Sequence, residues 1–173
     1  MDFFSAATDS ILSGAIEVGV GVAGFTGVIV ALASSRGRKD TLTPLFQTLL
    51  FVAIATVMFA FLPYLAMQLG LSDSLLWMVC SGVYIIYLPI ISLIRFKQSS
   101  KFSVETPTEY IMARRVLSTF GFGMLTIGAL QVLNLFLFQT HWPYLLLVIF
   151  YVFFALSTFA VITLMLWNSS AET

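Results

Sequence analysis

The sequence contains very little charge for its length. Only 9% of its 173 residues are Asp, Glu, Lys or Arg, whereas 60% are apolar, and the mean hydropathy is +1.01. A water-soluble domain of this size needs a charged surface, which this chain does not supply. The sequence therefore excludes a soluble globular protein. With a formal net charge of zero, it also argues against a nucleic-acid-binding protein.

Cysteine and histidine are nearly absent. Cys80 is the single cysteine, so the chain has no internal disulfide and no CxxC motif. His141 is the single histidine, and one histidine does not make a metal site or a bis-histidine haem site. There is also no Ser–His–Asp set, phosphate-binding loop or carboxylate pair. We therefore expect no cofactor, no bound metal and no enzymatic activity.

Long apolar runs fill the chain instead. A run of about 20 residues is long enough for a helix to cross the roughly 30 Å hydrocarbon layer of a bilayer. These runs lack the alternation of membrane β-strands, and backbone groups in lipid must bond within their own segment. The sequence thus predicts an all-α integral membrane bundle of five transmembrane helices, forming a single domain over 1–173. The predicted spans are 12–34, 44–69, 74–94, 116–138 and 143–167.

All eight Lys and Arg residues fall on one side of such a bundle. Three follow the first span and five lie in the 95–115 loop, whereas the opposite side carries Asp2, Asp9 and Asp73. The positive-inside rule places the basic side in the cytoplasm, with the N-terminus outside and the C-terminus inside. Four loop residues are predicted to lie at the level of lipid headgroups, with ligand binding as the alternative. They are Lys97, Lys101, Arg114 and Arg115.

Prolines and polar residues predict where some helices begin. Thr43 as a cap, followed by Pro44 at the first helical position, predicts the start of the second helix. The motif TPTE at 106–109 is a capping box, which predicts that the fourth helix begins near 107, before its apolar run. Pro63 and Pro89 lie inside spans, so each is expected to kink its helix or to free a backbone carbonyl.

The first span carries a small residue at every fourth position, as in a glycine zipper. Such a row lets two helix backbones approach closely, which favours helix association in lipid. We therefore expect it to pack against a neighbouring span or another copy of the chain. This row, called the small-residue seam below, consists of Ala15, Gly19, Ala23, Gly27 and Ala31.

A second face of the same span carries Glu17, Gly21 and Gly24. An ionisable residue inside a membrane span suggests function, because a charge at mid-bilayer costs at least ~2.5 kcal/mol. Three interpretations of Glu17 are open. The carboxylate faces a water-filled vestibule at the outer mouth, or it lies near the outer headgroups in the first turn of a helix capped by Ser13 or Gly14, or it is buried and protonated.

Two polar residues of the fourth span are further vestibule candidates. Gln131 and Asn134 share one face of the predicted helix. Side chains of this kind either line a polar path or form hydrogen bonds between helices. Both interpretations are consistent with the sequence.

Three stretches carry a resemblance to a group of known proteins: GFTGVIVAL (24–32), FAFLPYL (59–65) and WPYLLLVIFYVFFAL (142–156). With them the chain resembles small inner-membrane proteins of bacteria that are compact multi-span bundles with a glycine-rich first helix. The resemblance implies a location in the bacterial inner (plasma) membrane and brings no activity with it.

Two functions fit these observations. The first is an oligomeric channel, or a permeation protein for small solutes or ions, with the glycine-rich first helix near the pore. The alternative is a non-catalytic accessory or scaffold subunit of a membrane complex. In both cases the expected partners are membrane lipids together with further copies of the chain or another membrane protein.

Overall fold

The computed structural model describes residues 5–35, 39–99 and 107–168, and all regular elements among them are helical. A five-residue π-helical segment, Asn134–Phe138, follows the fourth helix. Each of the five α-helices is long and apolar enough to cross a membrane, so the prediction of an all-α chain with five such helices is confirmed. The helices are α1 (Ala6–Ser35), α2 (Lys39–Gln68), α3 (Asp73–Ser99), α4 (Pro107–Leu133) and α5 (His141–Asn168).

Helix α5 lies at the centre of the bundle, where it contacts each of the other four helices. Helix α1 packs on α2 and α5, and α4 packs on α3 and α5. We call the two ends of the bundle the turn end and the basic end. The turn end holds the start of α1, the α2–α3 turn and the α4–α5 turn, and the basic end holds the opposite helix termini.

Helix α1 begins earlier than the apolar run that predicted it. Ser5 is its cap, since Ser5 Oγ accepts a hydrogen bond from the backbone N–H of Thr8 at 3.2 Å. Ser13, considered above as a cap, lies inside the helix, where its hydroxyl donates to the carbonyl of Asp9 at 2.9 Å. The helix therefore extends six residues before the predicted span 12–34, because a polar cap and a first turn precede the apolar stretch.

Helix α2 likewise begins before its apolar run, at Lys39. Pro44 is consequently the sixth residue of the helix, and the prediction that it occupies the first helical position is wrong. A proline at this point removes only one backbone hydrogen bond, to the carbonyl of residue 40. At its other end the helix is followed by Gly70, whose φ of 71° lies in the left-handed region that glycine adopts most easily.

Most of the predicted 95–115 loop is helical. Helix α3 extends to Ser99, and α4 begins at Pro107, the position that the TPTE motif indicates. The predicted cap Thr106 and the headgroup candidate Lys101 lie outside the described residues. The apolar span of α4 is Ser118–Phe138, so about three turns of the helix precede it.

Aromatic side chains fill the core near the middle of the bundle. The ring of Phe59 lies 5.4 Å from that of Tyr84, 5.0 Å from Tyr87 and 5.5 Å from Tyr151, measured between centroids. Such edge-to-face and tilted pairs are favoured by the charge distribution of the rings. In a membrane, where lipid is as apolar as these side chains, close packing of this kind would contribute more to helix association than the removal of the side chains from water.

Candidate functional site

Helix α1 has one face inside the bundle and one face outside it. Val20, Phe25, Val28 and Leu32 are each more than half exposed, and they lie on the outer face. The buried positions recur every three or four residues, the spacing of a face that packs along a neighbour. They contact α2 and α5. These positions are Thr8, Leu12, Ala15, Gly19, Val22, Thr26 and Ile29.

Glu17 lies on the outer face and is exposed. It is the twelfth residue of α1, so the first-turn interpretation is wrong. Within one chain its side chain is not buried. The candidate span Ala6–Leu32 has 27 residues, which makes Gly19 its middle and places Glu17 about 3 Å away along the axis. The packing of α1 on α2 places Glu17 at the same depth. Gly19, two residues after Glu17, packs against Val57, which lies in the middle of the candidate span Leu45–Gln68.

Glu17 differs from the other carboxylates whose side chains the structure describes. Asp9 accepts a hydrogen bond from the Tyr64 hydroxyl at 2.8 Å, and Asp73 accepts one from Trp77 Nε1 at 3.0 Å. Both of these pairs lie at the turn end. No hydrogen bond or ion pair within the described part of the chain involves Glu17. The outer face of α1 thus carries an unpaired carboxylate halfway along the helix.

Two glycines lie beside Glu17 on this face. Gly21 and Gly24 are exposed, and a Cβ atom added to either would have no neighbour within 4 Å. The backbone of α1 is therefore open to whatever covers the face, and the surface next to the carboxylate is flat. Glu17, Gly21 and Gly24 are brought together as the sequence predicts, on one face of one helix.

The small-residue seam turns from the inside of the bundle to the outside along α1. Ala15 and Gly19 are buried and Ala23 is half-buried, whereas Gly27 and Ala31 are exposed. A Cβ atom on Gly19 would lie 2.7 Å from Val57 Cγ2 and 3.1 Å from the carbonyl oxygen of Ala53, so only glycine permits this approach of α1 to α2. The second half of the seam faces no other part of the described chain.

Gln131 and Asn134 do not join Glu17, because they lie between α3, α4 and the start of α5. Ser81 Oγ donates to Gln131 Oε1 at 2.9 Å and accepts from Asn134 Nδ2 at 2.8 Å. Gln131 Nε2 donates to the carbonyl of Pro143 at 2.7 Å. All three side chains are fully buried. Their geometry is that of hydrogen bonds between helices, the second interpretation left open by the sequence.

The π-helical segment shapes the α4–α5 turn around this network. The segment ends at Gln139, which has a φ of 51° and donates its N–H to the carbonyl of Asn134 at 2.9 Å. The side-chain oxygen of Asn134 accepts the backbone N–H of Thr140 at 3.1 Å. One buried amide therefore satisfies backbone and side-chain groups at once. No sequence pattern predicts the π-helical segment, because its turn depends on these contacts.

Pro63 frees a backbone carbonyl inside α2, and another helix satisfies it. Because proline has no N–H, the carbonyl of Phe59 lacks its helical partner. The hydroxyl of Tyr144, on α5, donates to that carbonyl at 2.8 Å. Tyr144 is fully buried. Tyr144 and Ser81 are the residues of the interior network that the sequence did not identify, because their partners are distant in the chain.

The basic residues lie toward the opposite end of the bundle. Arg115 is exposed near the start of α4, before its apolar span. Lys97 and Arg114 belong to α3 and α4, in turns that also lie outside the apolar spans. Their predicted contact with lipid headgroups stays a prediction.

Comparison with known protein families, with curated proteins and with solved structures finds no match to this chain. Its function is therefore inferred from the chemistry of its own residues, above all the exposed carboxylate of Glu17.

Proposed function

We propose that this chain is a multi-pass protein of the bacterial inner membrane that forms an oligomeric channel or permeation protein for small solutes or ions. In this proposal the outer face of α1 lines the path, and Glu17 is the group that attracts cations. The basic end faces the cytoplasm, in accordance with the positive-inside rule. The proposal is supported chiefly by the position of Glu17.

An exposed carboxylate at the middle of a membrane span is unfavourable in lipid. A charge there costs at least ~2.5 kcal/mol, and such residues face a bundle interior or a water-filled cavity in known membrane proteins. Glu17 faces neither within a single chain, since it lies on the outer face of α1 without a partner among the described residues. The outer face of α1 thus needs either water or another protein beside it.

The interior of one chain offers a poor alternative path. Its buried amides and the Ser81 hydroxyl bond to one another, and the Tyr144 hydroxyl bonds to a backbone carbonyl. Farther toward the basic end, Phe120 stacks on Phe154 with ring centroids 3.9 Å apart. A route between several copies avoids these obstacles, because it needs no rearrangement of the core.

Several copies arranged around an axis would place their Glu17 carboxylates in a ring. Rings of acidic side chains select cations in known channels. The exposed Gly21 and Gly24 leave space next to each carboxylate, and the exposed Gly27 and Ala31 permit close contact between copies. The same helix would then supply both the wall of the path and the contact that assembles it.

The test is cation flux into liposomes that contain the purified protein. Glu17→Gln keeps the size of the side chain and removes its charge, so we expect lower cation flux or weaker cation-over-anion selectivity. Asp73→Asn is the matched control, since it removes a carboxylate charge that is exposed at the turn end and lies on α3. Equal flux in wild type and Glu17→Gln would contradict the role of Glu17, and absence of flux in the wild type would contradict the channel.

The second candidate is a non-catalytic accessory or scaffold subunit. It is favoured by one observation. The sequence contains no Lys or Arg between residues 40 and 94 or after residue 115, so the chain itself has no basic residue near the middle of a span that could pair with Glu17. A partner helix with a basic residue at mid-membrane would supply that charge. This candidate predicts a protein that copurifies with the wild type and is lost from Glu17→Gln, without any flux in liposomes.

A further inference from the structure

Helix α5 keeps one face open although it packs on all four other helices. Its exposed residues recur every three or four positions, which is the spacing of a single stripe along a helix. On one side of the stripe the ring of Phe159 lies 6.3 Å from that of Phe25 on α1, and on the other side Phe150 lies 5.9 Å from Phe120 on α4. We call this face the α5 stripe. It consists of Trp142, Leu146, Ile149, Phe153, Leu156, Ala160, Thr163, Leu164 and Trp167.

The α5 stripe begins and ends with a tryptophan. Trp142 is 61% exposed and Trp167 is 74% exposed. The two residues are about seven helical turns apart, so both side chains project from the same side of α5. Trp77, the third tryptophan of the chain, is different, because it is buried and donates its Nε1–H to Asp73 at 3.0 Å. The two tryptophans of the stripe are therefore the ones that face the surroundings of the bundle.

The rise of the helix places the two tryptophans about 37 Å apart along α5. A bilayer has a hydrocarbon layer of about 30 Å and measures about 40–45 Å with its headgroup regions. At a helix tilt of about 20° the separation across the membrane is still about 35 Å. Both rings can therefore lie in the two interfaces at once. Tryptophan is enriched in those interfaces because its ring is apolar and its N–H is polar.

The residues between the two tryptophans suit lipid acyl chains better than a second copy of the chain. None of them carries a charge, and the hydroxyl of Thr163 donates to the carbonyl of Phe159 at 2.9 Å, so it needs no outside partner. Helices associate in lipid through small residues that allow close approach, and the stripe offers them only at Ala160 and Thr163, among bulky side chains. The exposed Gly27 and Ala31 provide such positions on α1 instead.

We propose that the α5 stripe is a lipid-binding surface of the protein, with Trp142 in one interface of the bilayer and Trp167 in the other. Acyl chains pack along the apolar residues between them. The two rings fix the position of the bundle along the membrane normal, because moving either ring into the hydrocarbon layer would leave its N–H without a hydrogen-bond partner. This placement is independent of whether the chain conducts solutes.

The placement also gives the depth of Glu17. The middle of the tryptophan pair lies between residues 154 and 155, toward the turn end from Phe159. Helices α1 and α5 both begin at the turn end, and Phe25 lies beside Phe159. Counting back the same distance from Phe25 puts the bilayer centre near Val20. Glu17 is therefore about 5 Å from the centre, inside the hydrocarbon layer.

The test is quenching of tryptophan fluorescence by brominated phospholipids, with the full chain in lipid vesicles. One lipid carries bromine near the headgroup end of its acyl chains, and the other carries it near the chain ends. Trp142→Phe and Trp167→Phe each remove one exposed emitter, so the difference from the wild type gives the emission of that tryptophan. We expect both tryptophans to lose more emission to the shallow bromines than to the deep ones. The double variant leaves Trp77, which is buried and should lose little emission in either lipid.

Phe153→Trp, made in the double variant, places a reporter near the middle of the stripe. Phe153 is 69% exposed, so the larger ring has space, and we expect the deep bromines to quench it more than the shallow ones. Emission from Trp142 and Trp167 that neither lipid reduces would show that protein covers the stripe, and it would overturn the proposal. Stronger quenching of either tryptophan by the deep bromines would also overturn it, because that ring would then lie in the hydrocarbon layer.

Discussion

Replacing Tyr144 by phenylalanine tests whether its hydroxyl compensates for the proline inside α2. Tyr144 donates to the Phe59 carbonyl at 2.8 Å, which is the carbonyl that Pro63 leaves without a helical partner. Because Tyr144 is fully buried, bulk water has no ready access to the carbonyl in the variant. An unpaired buried polar group costs about 1–3 kcal/mol, so we expect the free energy of unfolding of Tyr144→Phe to fall by about that amount.

A second substitution isolates the part played by the proline. In Pro63→Ala the new backbone N–H can donate to the carbonyl of Phe59, as in an uninterrupted helix. Tyr144→Phe then leaves no carbonyl unpaired, and its cost should fall to that of an ordinary hydrogen bond, about 0.5–1.5 kcal/mol. The two sites should therefore be coupled by about 1 kcal/mol in a double-mutant cycle.

The assay is reversible unfolding in mixed micelles, followed by circular dichroism. Tyr64→Phe is the control, since it removes a hydroxyl that bonds to a carboxylate at an exposed position, and we expect it to cost less than Tyr144→Phe. If Tyr144→Phe costs the same with proline and with alanine at position 63, the hydroxyl does not compensate for the proline and the explanation is wrong.

Gly19→Leu should lower the free energy of unfolding by about 1–3 kcal/mol, because its Cβ would lie 2.7 Å from Val57 Cγ2. A Cβ added at Gly27 would have no atom within 4 Å, so Gly27→Leu should leave the free energy of unfolding of the single chain unchanged and should reduce chemical crosslinking between copies. Equal destabilisation by Gly19→Leu and Gly27→Leu would contradict this distinction. Asn134→Leu keeps the volume of a buried side chain that bonds to Ser81, and it should cost about 1–3 kcal/mol. Ser81→Ala combined with it should cost less than the sum of the two, and additive costs would show that the network does not act as a unit.

The number and type of the helices could be predicted because they depend on the length of apolar runs. The helix ends could not be predicted as well, since polar residues extend the helices past those runs. Ser5 is a good cap placed before two alanines, but it precedes the apolar stretch, so the length of that stretch does not indicate it. Pro44 does not occupy the first helical position for a related reason, because residues 39–43 extend α2 in front of it.

The candidate site shows what helix periodicity can and cannot give. Helix periodicity groups Glu17 with Gly21 on one face, because that grouping depends on the geometry of α1 alone. Periodicity did not tell whether Gln131 and Asn134 face a path or another helix, because that depends on Ser81, 50 residues away from Gln131 in the chain. Likewise, Pro63 indicated that a carbonyl would be freed, and only the arrangement of α2 against α5 identified its donor.

The central position of α5 has a consequence for the order of assembly. This helix follows the other four in the sequence, so a ribosome makes it after them. Until it is inserted, α1 can pack on α2 and α3 on α4, but the Phe59 carbonyl has no donor and the Gln131 amide lacks its acceptor at Pro143. Arrival of α5 supplies both groups in one step, and it adds contacts with all four other helices to those that α2 and α3 already make with each other. A chain without α5 would therefore leave both groups unpaired, and its other four helices would be less stable than in the full chain.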